Sequence, residues 1–189
     1  LDLFDDYELD EEALKSMAGE AEAHALQIDG ITNSEGAGAS ASKGYITLAN
    51  SDGFVGHYGS SNFSCSISVI AGQGTTMQRD YDWTSRRHFE DLESPYKIAE
   101  EAARRTLKKM NPKKAATCQV PVVYDPRVSQ TLIGHLAGAI NGAAIARGTS
   151  FLLEMMEQQV FGNNINIIDN PHVLRGPSSK PFDGEGVRN

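Results

Sequence analysis

Apolar residues fall into two kinds of pattern along the first half of the chain. Leu14, Met17, Ala18, Ala21, Ala25 and Ile28 recur three and four apart, behind Asp10 and the acidic pair Glu11-Glu12. That spacing predicts an amphipathic helix with Asp10 as N-cap and carboxylates in its first turn, ending near Asp29-Gly30. From Gly36 to Trp83 the chain is rich in Gly, Ser and Thr, and the period drops to two. Tyr45–Ala49 and Phe54–Tyr58 flank Asn50-Ser51-Asp52-Gly53, a hairpin signal. Phe63, Cys65, Ile67 and Val69 alternate strictly with Ser64, Ser66 and Ser68, so the apolar set shares one face and the serines the other. After the turn Gly72-Gln73-Gly74, the set Thr75, Met77, Arg79, Tyr81 and Trp83 alternates with Thr76, Gln78, Asp80 and Asp82. The pattern predicts an antiparallel meander of about four strands with one face covered by helices. Ser94-Pro95 then opens a second helix, striped by Ile98, Ala99, Ala102, Ala103, Leu107 and Met110 and closed by Asn111-Pro112.

A boundary is expected near residues 111–116, which divides the chain into 1–112 and 113–189. The second part opens with Gln119–Tyr124 as a short strand, and Asp125-Pro126 leads into a helix of small apolar residues from Val128 to Ala146. Gly134, Gly138 and Gly142 recur every four residues there. Each glycine costs a helix interior about 1 kcal/mol, so three on one face imply another backbone packed close against it. Phe151–Phe161 is apolar-rich, and Ile165–Asp169 reads as a strand stopped by Asn170-Pro171. The fold class expected is α+β: an antiparallel sheet with flanking helices, followed by the start of a second, β-rich αβ domain.

Composition narrows the function. Seventeen Lys and Arg stand against 25 Asp and Glu, a net charge of −8. This offers no basic footprint for direct DNA contact. No run approaches the roughly 20 apolar residues of a membrane helix. Two cysteines, Cys65 and Cys118, make no disulfide framework and fit a reducing cytosol. The chain lacks a phosphate loop, a nucleophile elbow and any pair of histidines at metal-binding helical spacing; His24, His57, His88, His135 and His172 are scattered. An independent catalytic site is not expected within these residues.

Three segments remain as candidate contacts. Asn33-Ser34-Glu35-Gly36-Ala37 reads first as a polar turn into a strand. Arg147-Gly148-Thr149-Ser150-Phe151 reads as a glycine-capped helix exit whose Arg147 could clamp a carboxylate. Ser178–Gly186 is a Gly/Pro loop that holds Phe182, Asp183 and Glu185. Asn33, Glu35, Arg147, Ser150, Phe182, Asp183 and Glu185 are the residues singled out.

Taken in order, these segments, together with Leu48–Phe54, Met77–Tyr81, Pro121–Pro126 and Ser179–Val187, resemble the PmbA/TldE family, often called modulators of DNA gyrase. The resemblance implies an internal piece of a chain more than twice as long. It also implies cytosolic proteolysis by a TldD–TldE complex acting on small or unfolded peptides. In that family the TldD kind holds zinc on a His-Glu-x-x-x-His helix, with the Glu activating the metal-bound water. The matching helix here offers His135, Leu136 and Ile140 in one register, and Gly134, His135 and Ala139 in the other. Neither supplies two His and a Glu. The resemblance therefore points to the non-catalytic TldE/PmbA subunit, with no cofactor of its own and zinc on a TldD-type partner. Pairing is expected as a heterodimer with that paralogue, or as a homodimer. The serine face of Phe63–Val69 and the loop at residues 182–185 are the surfaces expected to line a channel or meet the partner. Two other readings stand beside this one: a metallopeptidase with ligands outside these residues, and a protein-binding modulator of gyrase.

Overall fold

A computed structural model describes residues 1–188. It is an α+β protein with seven main elements: α1 (Glu11–Leu26), β1 (Ile31–Ala49), β2 (Val55–Ala71), β3 (Gln78–Arg86), α2 (Pro95–Lys108), α3 (Pro126–Ile140) and α4 (Gly142–Ala146). The chain forms two compact units. One contains Leu1–Lys113 and the residues from Asp169 onward; the other is Lys114–Ile168.

In the first unit, β1, β2 and β3 make an antiparallel sheet in that order. Asp10 accepts a hydrogen bond from the Ala13 amide at 2.8 Å and caps α1. Ser94 caps α2, and Pro95 sits at the helix start, where its missing N–H costs nothing. Both helices lie on one face of the sheet. Cys65, Ile67 and Val69 of β2 are buried against Ala21 and Ala25 of α1 and Ile98, Ala99 and Ala102 of α2. Alanine at the helix contacts lets the helices sit close, so the larger β2 side chains fill the gap. Each buried Ile or Val contributes roughly 1.5–3 kcal/mol of transfer free energy. Burial pushes the Cys65 thiol pKa up, as suits a core filler rather than a nucleophile.

The sheet differs from the sequence expectation in two ways and fixes a third feature, the orientation of β3, that the sequence left open. It has three strands, because the segments read as two strands at Phe54–Tyr58 and Phe63–Val69 form one continuous strand, β2, while Gly74–Thr76 forms a 3-10 turn that shortens the start of β3. Its first strand begins at Ile31, not near Tyr45, and takes in Asn33–Ala37. The register slips between Ile31 and Asn33 and again between Ser34 and Gly36, where Gly36 has φ +114°. A β-bulge with a positive-φ glycine uses the same residue types as a turn, which is why the segment reads as one. In β3, finally, the polar set faces the helices. Asp80 is 5% exposed and pairs with Lys109 at 3.0 Å, and Asp82 pairs with Arg105 at 2.6 Å. Tyr81 and Trp83 point to the opposite face because they lie across from Ser68 and Ser66.

The β1–β2 hairpin runs past the end of β3, and its tip is the expected turn. The Asn50 side-chain oxygen accepts from the Asp52 and Phe54 amides, and Gly53 adopts φ +88°. Residues 1–9 lie along β2 where β3 has ended, with the Ser61 amide donating to Leu3 O at 3.1 Å. Arg175 ties the last segment down through Asp2, Glu90 and Asp91 at 2.6–3.0 Å.

In the second unit, Asp125 and Pro126 start α3 as expected. The small-residue helix is not continuous, because Asn141 takes extended φ/ψ and separates α3 from α4. Apart from the adjacent backbone of its own helix, nothing lies within 4 Å of a Cβ built on Gly134, Gly138 or Gly142, so the backbone expected against that face is not provided by the described residues. The strands expected at residues 119–124 and 165–169 are not formed either. A strand needs a neighbour for its N–H and C=O groups, and the Val120-Pro121 step withdraws one donor. Among the described residues no helix is long and apolar enough to cross a membrane.

Candidate functional site

The helices cover one face of the sheet and leave the other open. Period-two geometry assigns that open face row by row. Gly36, Ser68 and Tyr81 form one row, Gly38, Ser66 and Trp83 the next, and Ser40, Ser64 and Ser85 the third. The result is a shallow, hydroxyl-lined trough with small residues on β1 and an aromatic rim on β3. Trp83 is 57% exposed. The Ser40 and Ser64 hydroxyls are 2.8 Å apart and share a hydrogen bond.

The candidate residues sort onto three places. Glu35 closes one end of the trough. One carboxylate oxygen accepts from the Ser68 hydroxyl at 2.7 Å and the other from Arg79 at 2.8 Å. These two donors hold its pKa below the ordinary glutamate value. Asn33 turns inward on its own strand, where its side-chain oxygen accepts from the Ser34 amide at 2.9 Å. It serves the bulge.

Phe182 lies at the other end, packed edge-on against Phe54 and Tyr58 with ring centroids 5.1 and 5.3 Å apart. Asp183 holds its own loop together, accepting from the Glu185 and Val187 amides at 2.9 Å each. The Glu185 carbonyl accepts from the Asn50 side chain at 3.0 Å, while its carboxylate side chain lies in an exposed residue. Arg147 and Ser150 belong to the other unit. Arg147 is the C-cap of α4, and the Ser150 hydroxyl donates to Ala139 O at 2.6 Å, fastening the helix exit back onto α3. The structure thus brings Glu35 and Phe182 to two ends of one face. It gives Asn33, Asp183 and Ser150 structural hydrogen bonds.

Sequence reasoning missed Arg79 and Trp83 as parts of this face. The signal was present in the alternation of β3, but alternation alone does not say which set faces the helices.

A zinc site of the peptidase kind can be tested against α3. His135 is followed by Leu136 at the next position and Ile140 five residues on. Among the described residues no group of three His, Cys, Asp or Glu could hold a metal ion. The donor set here does not fit zinc.

Residues 4–110 match the family model described as the PmbA/TldA metallopeptidase central domain, and residues 117–189 match the C-terminal domain of the same set. The chain belongs to the PmbA/TldD metallopeptidase family. It is 39% identical over its whole length to the metalloprotease PmbA of Escherichia coli O157:H7 and 38% identical to the Haemophilus influenzae PmbA homologue. In each case it spans 42% of the relative's length. Among solved structures it resembles a candidate modulator of DNA gyrase from Bacteroides thetaiotaomicron, with a TM-score of 0.87 and 27% identity over 98% of this chain and 43% of that one. It shares its fold with TldE from Thermococcus kodakarensis, with a TM-score of 0.77 and 19% identity over 96% of this chain and 41% of that one. The open sheet face is the surface left to explain.

Proposed function

We propose that this chain is part of a TldE/PmbA-type, non-catalytic subunit that pairs with a zinc-bearing TldD-type paralogue in the cytosol and helps present small or unfolded peptides for cleavage. The single observation behind this reading is the donor chemistry of α3. One histidine, followed by Leu136 and Ile140, leaves a zinc ion without its remaining ligands and without a carboxylate to activate water. On this reading the chemistry belongs to the partner.

The test is co-purification of the intact protein with a His-Glu-x-x-x-His paralogue, followed by zinc content and peptide cleavage. Zinc and cleavage are expected in the paired sample and absent from this protein purified alone.

The metalloprotease names of the relatives favour a second reading, in which the intact protein carries its metal ligands outside these residues. Stoichiometric zinc and peptide cleavage by the protein free of any paralogue would establish that reading and remove the first.

A further inference from the structure

We propose that Arg175 is the pin of a clasp that couples the leading segment, residues 1–9, to the returning segment, residues 169–188, so that both are released together from the outer half of the β1–β2 hairpin. This conformational device lies within the first unit and does not depend on the subunit role above.

β3 ends opposite Phe63, so Val55–Asn62 of β2 run on without a third strand. Two irregular segments cover this arm, one on each face. Phe4 lies over Gly59, where a Cβ would meet its ring at 2.8 Å. Phe182 shares the space over Gly56 with Phe54 and would meet a Cβ there at 2.7 Å. Gly56 and Gly59 are an odd number of residues apart in one strand, so the two rings press on opposite faces. Hydrogen bonds add to each contact. The Ser61 amide donates to Leu3 O at 3.1 Å, and the Asn50 side chain donates to Glu185 O at 3.0 Å.

Arg175 joins the two covers directly. Its amide donates to Leu1 O at 2.9 Å, and its Nε donates to the Asp2 carboxylate at 2.7 Å. Its Nη1 pairs with Glu90 at 2.6 Å and Asp91 at 3.0 Å, in the 3-10 turn after β3. A single exposed ion pair would contribute little. Here one guanidinium fork is shared by three carboxylates from two stretches of chain. Asp2 and Arg175 also hold φ of +51° and +53°, a region that L residues occupy only while their surroundings impose it. Loss of the pin lets both relax at once. Each segment keeps an anchor of its own, since His88 Nε2 lies 3.1 Å from Asp2 O and Arg87 Nη2 donates to Pro177 O. Opening the pin therefore loosens the covers and leaves the sheet folded.

Hydrogen–deuterium exchange of the intact protein, read by mass spectrometry, tests the coupling. Phe4→Leu and Phe182→Leu each trim one cover and keep apolar bulk. Coupling between two sites is reciprocal. Phe4→Leu should speed exchange about threefold or more in peptides that contain Asp183 and Val187, and Phe182→Leu should do the same in peptides that contain Asp5 and Ser61. Peptides from Phe63–Ala71 should not change. Both cross-effects should disappear in an Arg175→Gln background, while each substitution still acts on its own segment. Asp2→Asn is a second uncoupler and decides the matter if Arg175→Gln does not fold. The proposal is overturned if each substitution stays confined to its own segment. It is equally overturned if the cross-effects persist at full size without the pin, which would place the coupling in the hairpin itself.

Discussion

α2 and α3 start alike and end in different surroundings. Each has a capping residue followed by proline at its first turn, Ser94-Pro95 and Asp125-Pro126, and each carries an apolar stripe. α2 buries Ile98, Ala99, Ala102, Ala103 and Thr106 against the sheet. α3 buries Ala139 and leaves Leu132, Ile133 and Ile140 between 45% and 60% exposed. Helix formation is therefore locally encoded in both, whereas burial depends on whether the rest of the chain supplies a surface. α2 has a three-stranded sheet beneath it. Within its own unit, α3 has the short α4 and a set of turns.

The sharpest way to break this comparison is to truncate an equivalent apolar residue in each helix. Ile98→Ala should lower the unfolding free energy of the 189-residue chain by about 2–5 kcal/mol, the usual result of deleting a buried side chain without collapse of the space. Leu132→Ala, at a half-exposed site, should change it by less than about 0.5 kcal/mol. Urea titrations read by circular dichroism separate the two. Equal losses would mean that α3 is packed as α2 is.

A second contrast concerns glycines of opposite kinds. Gly134 lies mid-helix with nothing near its would-be Cβ, so Gly134→Ala should stabilise α3 by about 1 kcal/mol. Gly36 sits at φ +114°, in a bulge where an L side chain is strained, so Gly36→Ala should destabilise by roughly 1–3 kcal/mol. Thermal melts of the two variants should move in opposite directions. A destabilising Gly134→Ala would show that backbone does approach that face.

These contrasts also mark what was legible in the sequence. The helix starts at Asp10, Ser94 and Asp125, the hairpin turn at Asn50–Gly53 and the buried set of β2 all follow from local chemistry or strict periodicity. The bulge at Glu35 was not legible, because a glycine at positive φ serves a turn and a bulge equally. Nor was the orientation of β3. Asp80 and Asp82 face inward because Lys109 and Arg105, more than 20 residues away, neutralise them there. That is tertiary information which no window of alternation contains. For the candidate site, Phe182 was recognisable as an aromatic residue in a Gly/Pro loop. Its position over Gly56, however, depends on a contact spanning more than 120 residues. The isolated strands failed for a related reason: Gln119–Tyr124 has strand composition without a partner strand among the described residues.

The smallest effect lies at the open face, where Glu35 differs from the inward carboxylates by being held in solvent's reach. The Ser68 hydroxyl and the Arg79 guanidinium both favour its ionised form, so its folded-state pKa lies below the ordinary glutamate value. A depressed carboxylate contributes stability that is fully present above the unfolded-state pKa and is lost as pH falls through the folded one. The contribution should thus be complete at neutral pH and vanish in the acid range, below about pH 4. Because both partners are exposed and screened by salt, the effect on global stability should be slight. The sensitive measurement is a side-chain NMR titration of Glu35. Its midpoint should rise toward the ordinary value in Ser68→Ala and in Arg79→Gln, and rise furthest when both are changed. A midpoint that ignores both substitutions would mean that the carboxylate does not bridge β2 and β3, and the trough would lose the closed end that Glu35 gives it.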